Sequence, residues 1–132
     1  MLHFFDTDIA SIAIRNPAGA VAKRILALSP AERAISITVA AELRFGAVKR
    51  GSQVLSEKIE LFLGEIQVLP LEPPADQCYA NLRAQLEKAG TPIGGNDMLI
   101  AAHALAHDAT LVTGNEREFS RIDGLKVENW LR

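Results

Sequence analysis

NDMLIAAHALAHDATLVTGNEREF, residues 96–119, passes from a long apolar helix through a short apolar strand into a single helical turn. Met98 to Asp108 is an apolar run of helical length. Thr110 to Thr113 (TLVT) is too short for a helix and rich in β-branched residues, and Gly114-Asn115 punctuates it before Glu116–Phe119. A short, continuous apolar strand reached from a helix is the pattern of a strand covered on both faces. Such strands belong to parallel sheets.

The same alternation runs outward in both directions. Leu2 to Phe5 reads as a buried strand ending at Asp6, and Ile9 to Ile14 as a helix start broken by Asn16-Pro17. Ala18 to Leu28 has Val21, Ile25 and Leu28 at helical spacing. Ile35 to Thr38 (ISIT) is a second strand, after which Thr38 can cap a helix through VAAELRFGAVKR. Gly51 and Ser52 separate that helix from an amphipathic one over Val54–Leu63. Ile66 to Leu71 is a third strand, Pro73-Pro74 opens a helix closed by Gly90, and Leu125 to Asn129 is a fifth strand. Strand and helix alternate throughout, with no repeat or linker. This predicts one α/β domain over residues 1–132, with a short, mostly parallel central sheet and helices on both faces.

The bulk numbers bound the function. The 132 residues are 48% hydrophobic and 23% charged, an ordinary globular balance. Fourteen Lys and Arg against sixteen Asp and Glu leave a net charge of −2, which argues against a passive, strongly basic nucleic-acid binder. It leaves room for a nuclease whose acids gather in one cleft. Cys78 is the single cysteine, so neither an internal disulfide nor a cysteine-based zinc cluster can form. No signal peptide and no membrane-spanning run is evident, and the expectation is a soluble, cytoplasmic protein.

Ligands of open parallel sheets bind beyond the carboxyl ends of the strands. Asp6 falls just past strand one, Glu42 in the first turn after strand two, and Glu116 and Glu118 just past strand four. Asp97 opens the helix that feeds strand four, so topology leaves its edge open. Each acid alone has a plain structural reading: a turn residue for Asp6, macrodipole pairing for Glu42 and Asp97, solvent for Glu116 and Glu118. Together, acids without balancing cations repel unless a cation sits among them. A hard divalent ion with oxygen ligands meets that need, and the chemistry it supports is phosphodiester hydrolysis by activated water.

Three blocks then carry a resemblance: FFDTDIAS (4–11), ISITVAAELRFGA (35–47) and IGGNDMLIAAHALAHDATLVTGNEREFSRIDGLKVENW (93–130). In order and spacing the chain resembles a PIN-domain ribonuclease of the VapC type, the toxin of bacterial toxin–antitoxin modules. The resemblance implies a three-layer α/β/α sandwich and a cytoplasmic endoribonuclease dependent on Mg²⁺ or Mn²⁺, with tRNA the commonest substrate class. It also implies a homodimer neutralised by a VapB-type antitoxin. By the same resemblance Asp6, Glu42, Asp97 and Glu118 are the catalytic acids. Asp6 and Asp97 are the leading metal ligands, Glu42 and Glu118 further ones, and Thr7, Thr113 and Asn115 polar supports. The family usually has Asn where this chain has Asp8. That residue either binds the cation or caps the following helix, and capping is the favoured expectation.

Two other readings compete with this one. A haloacid-dehalogenase-type phosphatase would use Asp6 and Asp8 as its D-x-D pair, but leaves Glu42 and LVTGNEREF without a role. A non-catalytic RNA- or protein-binding PIN domain would be expected to have lost some of the acids. Arg15, Arg44, Lys49 and Arg50 are candidates to line an RNA path. His103 and His107 have i, i+4 metal-binding spacing without a nearby acidic third ligand, which favours a packing or surface role.

Overall fold

A computed structural model describes residues 1–131. The chain runs β1 (His3–Phe5), α1 (Thr7–Arg15), α2 (Ala20–Ala27), a 3-10 turn (Pro30–Glu32) and β2 (Arg33–Ser36). It continues through α3 (Ile37–Arg50), α4 (Gln53–Gly64), β3 (Gln67–Leu69) and α5 (Ala75–Ala89). The last elements are α6 (Gly95–Ala106), β4 (Thr110–Val112), α7 (Glu116–Phe119) and β5 (Lys126–Glu128). The five strands form one sheet in the order β3-β2-β1-β4-β5, and every pairing is parallel. Helices on both faces complete three layers, with α5 packed on α6, and α1 packed on α2, α3 and α4.

The central strands β1, β2 and β4 are short segments buried on both faces, while the edge strands β3 and β5 are partly exposed. Phe4 pairs with Ala34 on one side and Leu111 on the other; all three have no exposed surface. Ile9 of α1, Val39 of α3 and Ile100 of α6 press on this sheet and are likewise fully buried. Each such side chain contributes roughly 1.5–3 kcal/mol by leaving water. Truncating a central one, as in Phe4→Ala, would cost about 3–5 kcal/mol. Gly51 ends α3 and Gly90 ends α5 in the left-handed conformation, at φ 60° and 72°, where a Cβ would be strained.

The chain order places the site. From β1 it proceeds outward through β2 to β3, then returns to the other side of β1 for β4 and β5. The order therefore reverses between β1 and β4, and the crevice beyond the carboxyl ends of those strands is the topological switch point. Helices connecting parallel strands run back against them, so helix N-termini collect at this same edge. That brings in α6, and with it Asp97, whose edge topology had left open.

Two helix caps differ from the sequence expectation. The first is that of α3, which begins at Ile37 with Ser36 as its cap: Ser36 Oγ accepts from Thr38 N–H at 3.1 Å. Ile37 and Thr38 are thus helical, and Thr38 is not the cap. The second is that of α1, which begins at Thr7 with Asp6 as its cap, Oδ1 accepting from Ile9 N–H at 2.9 Å. Asp8 sits exposed in the first helical turn and caps nothing. Strand β2 also starts earlier than expected, at Arg33. The buried guanidinium of Arg33 donates to the carbonyls of Glu65 (2.9 Å), Leu28 (3.0 Å) and Leu26 (3.2 Å), which offsets its burial.

Among the described residues no helix is long and apolar enough to cross a membrane. Leu43, Ala47 and Ile59 are buried in the core, while Phe45, Val48, Val54 and Leu61 leave an exposed apolar surface on α3 and α4. Cys78 is partly buried and free.

Candidate active site

Asp6 follows β1 directly and its backbone N–H continues the ladder, donating to Val112 O at 3.1 Å. The side chain is 5% exposed. Its Oδ1 is held by Ile9 N–H, and its Oδ2 accepts from Thr113 Oγ1 at 2.5 Å, across the switch point. Burial raises the Asp6 pKa above its ordinary value, these two donors oppose the rise, and the charges of Asp8 and Glu42 add to it.

Glu42 lies on the second turn of α3. Thr7 Oγ1 donates to its Oε1, and Asn96 Nδ2, from the start of α6, donates to its Oε2 at 3.2 Å. Asp97 is the next residue on α6. Its pKa is raised to about 6, first by burial and then by the charges of Glu42, Asp6, Glu118 and Asp8. Beyond β4, Thr113 Oγ1 accepts from Asn115 N–H at 2.9 Å, and Asn115 Nδ2 donates to Glu118 Oε2 at 2.8 Å. Asp6, Glu42, Asp97 and Glu118, the acids that the resemblance named, thus lie close enough for their charges to interact, and Thr7, Thr113 and Asn115 hydrogen-bond to three of them.

The partners of these acids decide the electrostatics. Ile9 N–H, Thr7, Asn96, Thr113 and Asn115 are all neutral donors. Among the described residues, the ion pairs to acidic groups involve Glu32, Glu128, Glu60, Glu87 and Asp108, and none of the four crevice acids. The crevice therefore orients its carboxylates while leaving their charge uncompensated. No three His, Cys, Asp or Glu side chains among the described residues stand close enough to complete a metal shell by themselves. An oxygen-only set supplying one or two direct ligands, with the remaining positions left to water and phosphate, fits Mg²⁺-like ions better than a closed protein cage would.

The basic candidates separate. Arg15 and Arg50 line the groove that holds Thr7 and Glu42. Arg44 instead pairs with Glu60 at 2.5 Å, and Lys49 Nζ lies 5.9 Å from the Phe45 ring centre. His103 is buried, with Nδ1 2.7 Å from Ser36 Oγ and its ring edge-on to Phe4; His107 is exposed. The packing role expected for His103 holds. Asn96 is the crevice residue that sequence reasoning missed. Its position beside Asp97 at a helix start was the available signal.

A parallel sheet whose switch-point crevice is lined by acids held by neutral donors describes a PIN domain, and the sequence model of the PIN domain family matches residues 4–125. The chain belongs to that family. Within it the chain is 37% identical over 132 residues to Ribonuclease VapC2 of Rickettsia felis, covering 98% of each chain. It is 37% identical over 134 residues to the tRNA(fMet)-specific endonuclease VapC of Shigella flexneri, covering 98% of this chain and 99% of that one. The solved structure of VapBC2 from Rickettsia felis bound to a DNA fragment from their promoter superposes with a TM-score of 0.91 at 36% identity, over 98% of this chain and 99% of that one. The chain is thus a VapC-type ribonuclease. Family membership, with Asp8 exposed, removes the phosphatase alternative.

Proposed function

We propose that the crevice of Asp6, Glu42, Asp97 and Glu118 is the catalytic centre of an endoribonuclease toxin that hydrolyses tRNA with Mg²⁺ or Mn²⁺. The observation that carries this reading is the convergence of four carboxylates, three of them (Asp6, Glu42 and Glu118) held by neutral donors and none in an ion pair among the described residues, which leaves their charge for a cation to neutralise. When bound, the ion supplies charge neutralisation at the phosphodiester and makes water a competent nucleophile near neutral pH.

The chain's own residues do the positioning. Asp6 and Asp97 would hold the ion, with Asp6 fixed in orientation by Thr113 and Ile9 N–H. Glu42, gripped at both oxygens by Thr7 and Asn96, and Glu118, gripped by Asn115, would supply further negative charge and act as proton acceptors beside it. Asp8 adds negative charge at the rim without capping α1. Arg15 and Arg50 supply cations for RNA phosphates, whereas Arg44 and Lys49 are engaged elsewhere.

Solved relatives described as VapBC complexes support a VapB-type antitoxin as the cognate inhibitor. The exposed apolar residues of α3 and α4 support burial in a homodimer or against that antitoxin. The lack of a spanning helix among the described residues is compatible with action in the cytoplasm by the whole of residues 1–132 as one domain.

The test is to express wild type, Asp6→Asn and Asp97→Ala, and to map 5′ ends of cellular RNA. Asp6→Asn keeps a side-chain cap on α1 and so separates chemistry from folding. New 5′ ends in wild type alone, abolished by EDTA in the pure protein and restored by Mn²⁺, are the expected result. Identical maps for all three proteins would sink the assignment.

A further inference from the structure

Of the four crevice acids Glu42 lines one end of the groove between α1 and α3, with Asp8 beside it, and the groove continues past them. It measures about 270 Å³. Thr7, Ser11 and Arg15 line it from α1, and Glu42, Gly46 and Arg50 from α3. Each set is spaced i, i+4, i+8, so each forms one stripe along its helix, spanning about 12 Å at 1.5 Å per residue. Both helices start at the carboxyl edge of the sheet, so the stripes run in the same sense. They begin at the Thr7–Glu42 hydrogen bond and end at two arginines. Among the described residues neither arginine forms an ion pair; Arg15 Nε donates to Ser11 O at 3.3 Å.

Gly46 lies midway along this stripe, in the interior of a helix. A Cβ built there meets no atom within 4 Å, and its φ is not in the left-handed region. Neither packing nor backbone conformation requires glycine at this position. Relative to alanine it weakens α3, because glycine loses more backbone freedom on folding. What the missing side chain does leave is open room in the groove.

We propose that this groove is a subsite for the nucleotide adjoining the scissile phosphodiester, with Gly46 setting its width and Arg15 and Arg50 holding the outward phosphate. The inference rests on the ribonuclease reading of the acidic crevice and deepens it. The charge layout favours RNA over a protein segment: the groove joins an anionic, cation-requiring end to a cationic end at the spacing of a short stretch of backbone. The buried side chains of Leu43 and Ile59 also line it and give a base an apolar face, while Ser11 gives it a hydroxyl. Among the described residues no aromatic side chain lines it, so discrimination there rests on width and on polar contacts rather than stacking.

The test uses Gly46→Leu and Gly46→Ala beside Asp97→Asn, on single-stranded RNA oligonucleotides that carry the mapped cleavage site. Each standard base is placed in turn on either side of the cut. Gly46→Ala is expected to melt at or above wild type while raising KM. Gly46→Leu is expected to raise KM by about tenfold or more and to change the base preference beside the cut. If Gly46→Leu does not fold, the Ala variant decides on its KM and base preference. Wild-type KM and base preference in the folded Gly46 variants, with Asp97→Asn inactive, would overturn the subsite and leave the nuclease reading intact. Cleavage by Asp97→Asn would instead overturn the assignment of the acidic crevice as the catalytic centre. Normal cleavage by Gly46→Leu with lost binding of the purified antitoxin would assign the groove to the protein partner instead.

Discussion

Thr113 Oγ1 donates to Asp6 Oδ2 at 2.5 Å, joining the residues that follow β1 and β4 on the two sides of the switch point. The same oxygen of Thr113 accepts from Asn115 N–H, so one hydroxyl ties Asp6 to the loop that carries Glu118. Thr113 is fully buried, so its hydroxyl has no water to replace a lost partner.

Replacing that hydroxyl by an isosteric methyl therefore has a defined sign. The Thr113 bond lowers the Asp6 pKa against the upward push of burial, so Thr113→Val raises it further. Protons then compete with the cation for Asp6 up to higher pH. The expected result is an acidic limb of the pH–rate profile displaced upward, with activity partly restored by raising pH or Mn²⁺. Stability falls by about 1–3 kcal/mol. Thr113→Ser should keep the wild-type profile. A Val variant with an unmoved acidic limb would show that Thr113 does not tune Asp6.

Asp97 gives a pH dependence of stability. Its folded pKa, about 6, lies above the ordinary 3.8, so the native state holds this proton more tightly than the unfolded chain does. The contribution to stability is complete below the unfolded value and is lost as pH rises through about 6. Asp97→Asn removes the ionisation. It should melt higher than wild type at neutral pH in EDTA, with the gain vanishing below the ordinary carboxylate range. Mg²⁺ or Mn²⁺ should raise the wild-type melting temperature and leave the variant's nearly unchanged. Calorimetry across pH, with and without metal, checks both halves.

The basic residues separate by salt dependence. Arg50 lines the groove without an ion pair, whereas Arg44 is committed to Glu60. In an Asp97→Asn background, which binds without cutting, Arg50→Ala should reduce the slope of log affinity against log salt by about 0.7 for one lost phosphate contact. Arg44→Ala should leave the slope as it was. Fluorescence anisotropy over a salt series measures this, and equal slopes for the two variants would refute the division.

The alternation of strands and helices was legible because the central strands β1 and β4 carry apolar runs at their cores, and the acids were legible because they fall where parallel strands end. The helix starts were less so. Asp6 and Asp8, and likewise Ser36 and Thr38, are cap-competent pairs two residues apart. The choice between them is tertiary: the bond from Asp6 N–H to Val112 O keeps Asp6 extended, and the pairing of Ser36 with Leu69 keeps Ser36 in β2. Arg33 reads as a polar residue outside a strand, because nothing local announces the three carbonyls gathered around it from Leu26, Leu28 and Glu65. Asn96 was missed for a similar reason. An amide beside an acid is common, and only the approach of α3 to α6 gives it Glu42 as a partner.

That approach also makes His103 testable. Its Nδ1 sits 2.7 Å from Ser36 Oγ, the same oxygen that caps α3 ahead of Glu42. Burial, followed by the proximity of His107, lowers the His103 pKa from 6.5 to about 4. The native state thus holds it neutral while the unfolded chain protonates it, so its contribution is present above 6.5 and lost as pH falls through about 4. His103→Phe keeps an aromatic ring beside Phe4 but leaves the Ser36 hydroxyl without this partner, at about 1–3 kcal/mol. The variant should be less stable than wild type at neutral pH, and the gap should narrow on acidification because its own titration is gone. Urea unfolding of both proteins at neutral pH and near the lower value measures the gap. A gap that widens with acid would mean that His103 enters the fold protonated, and that the Ser36 contact is made by a charged ring.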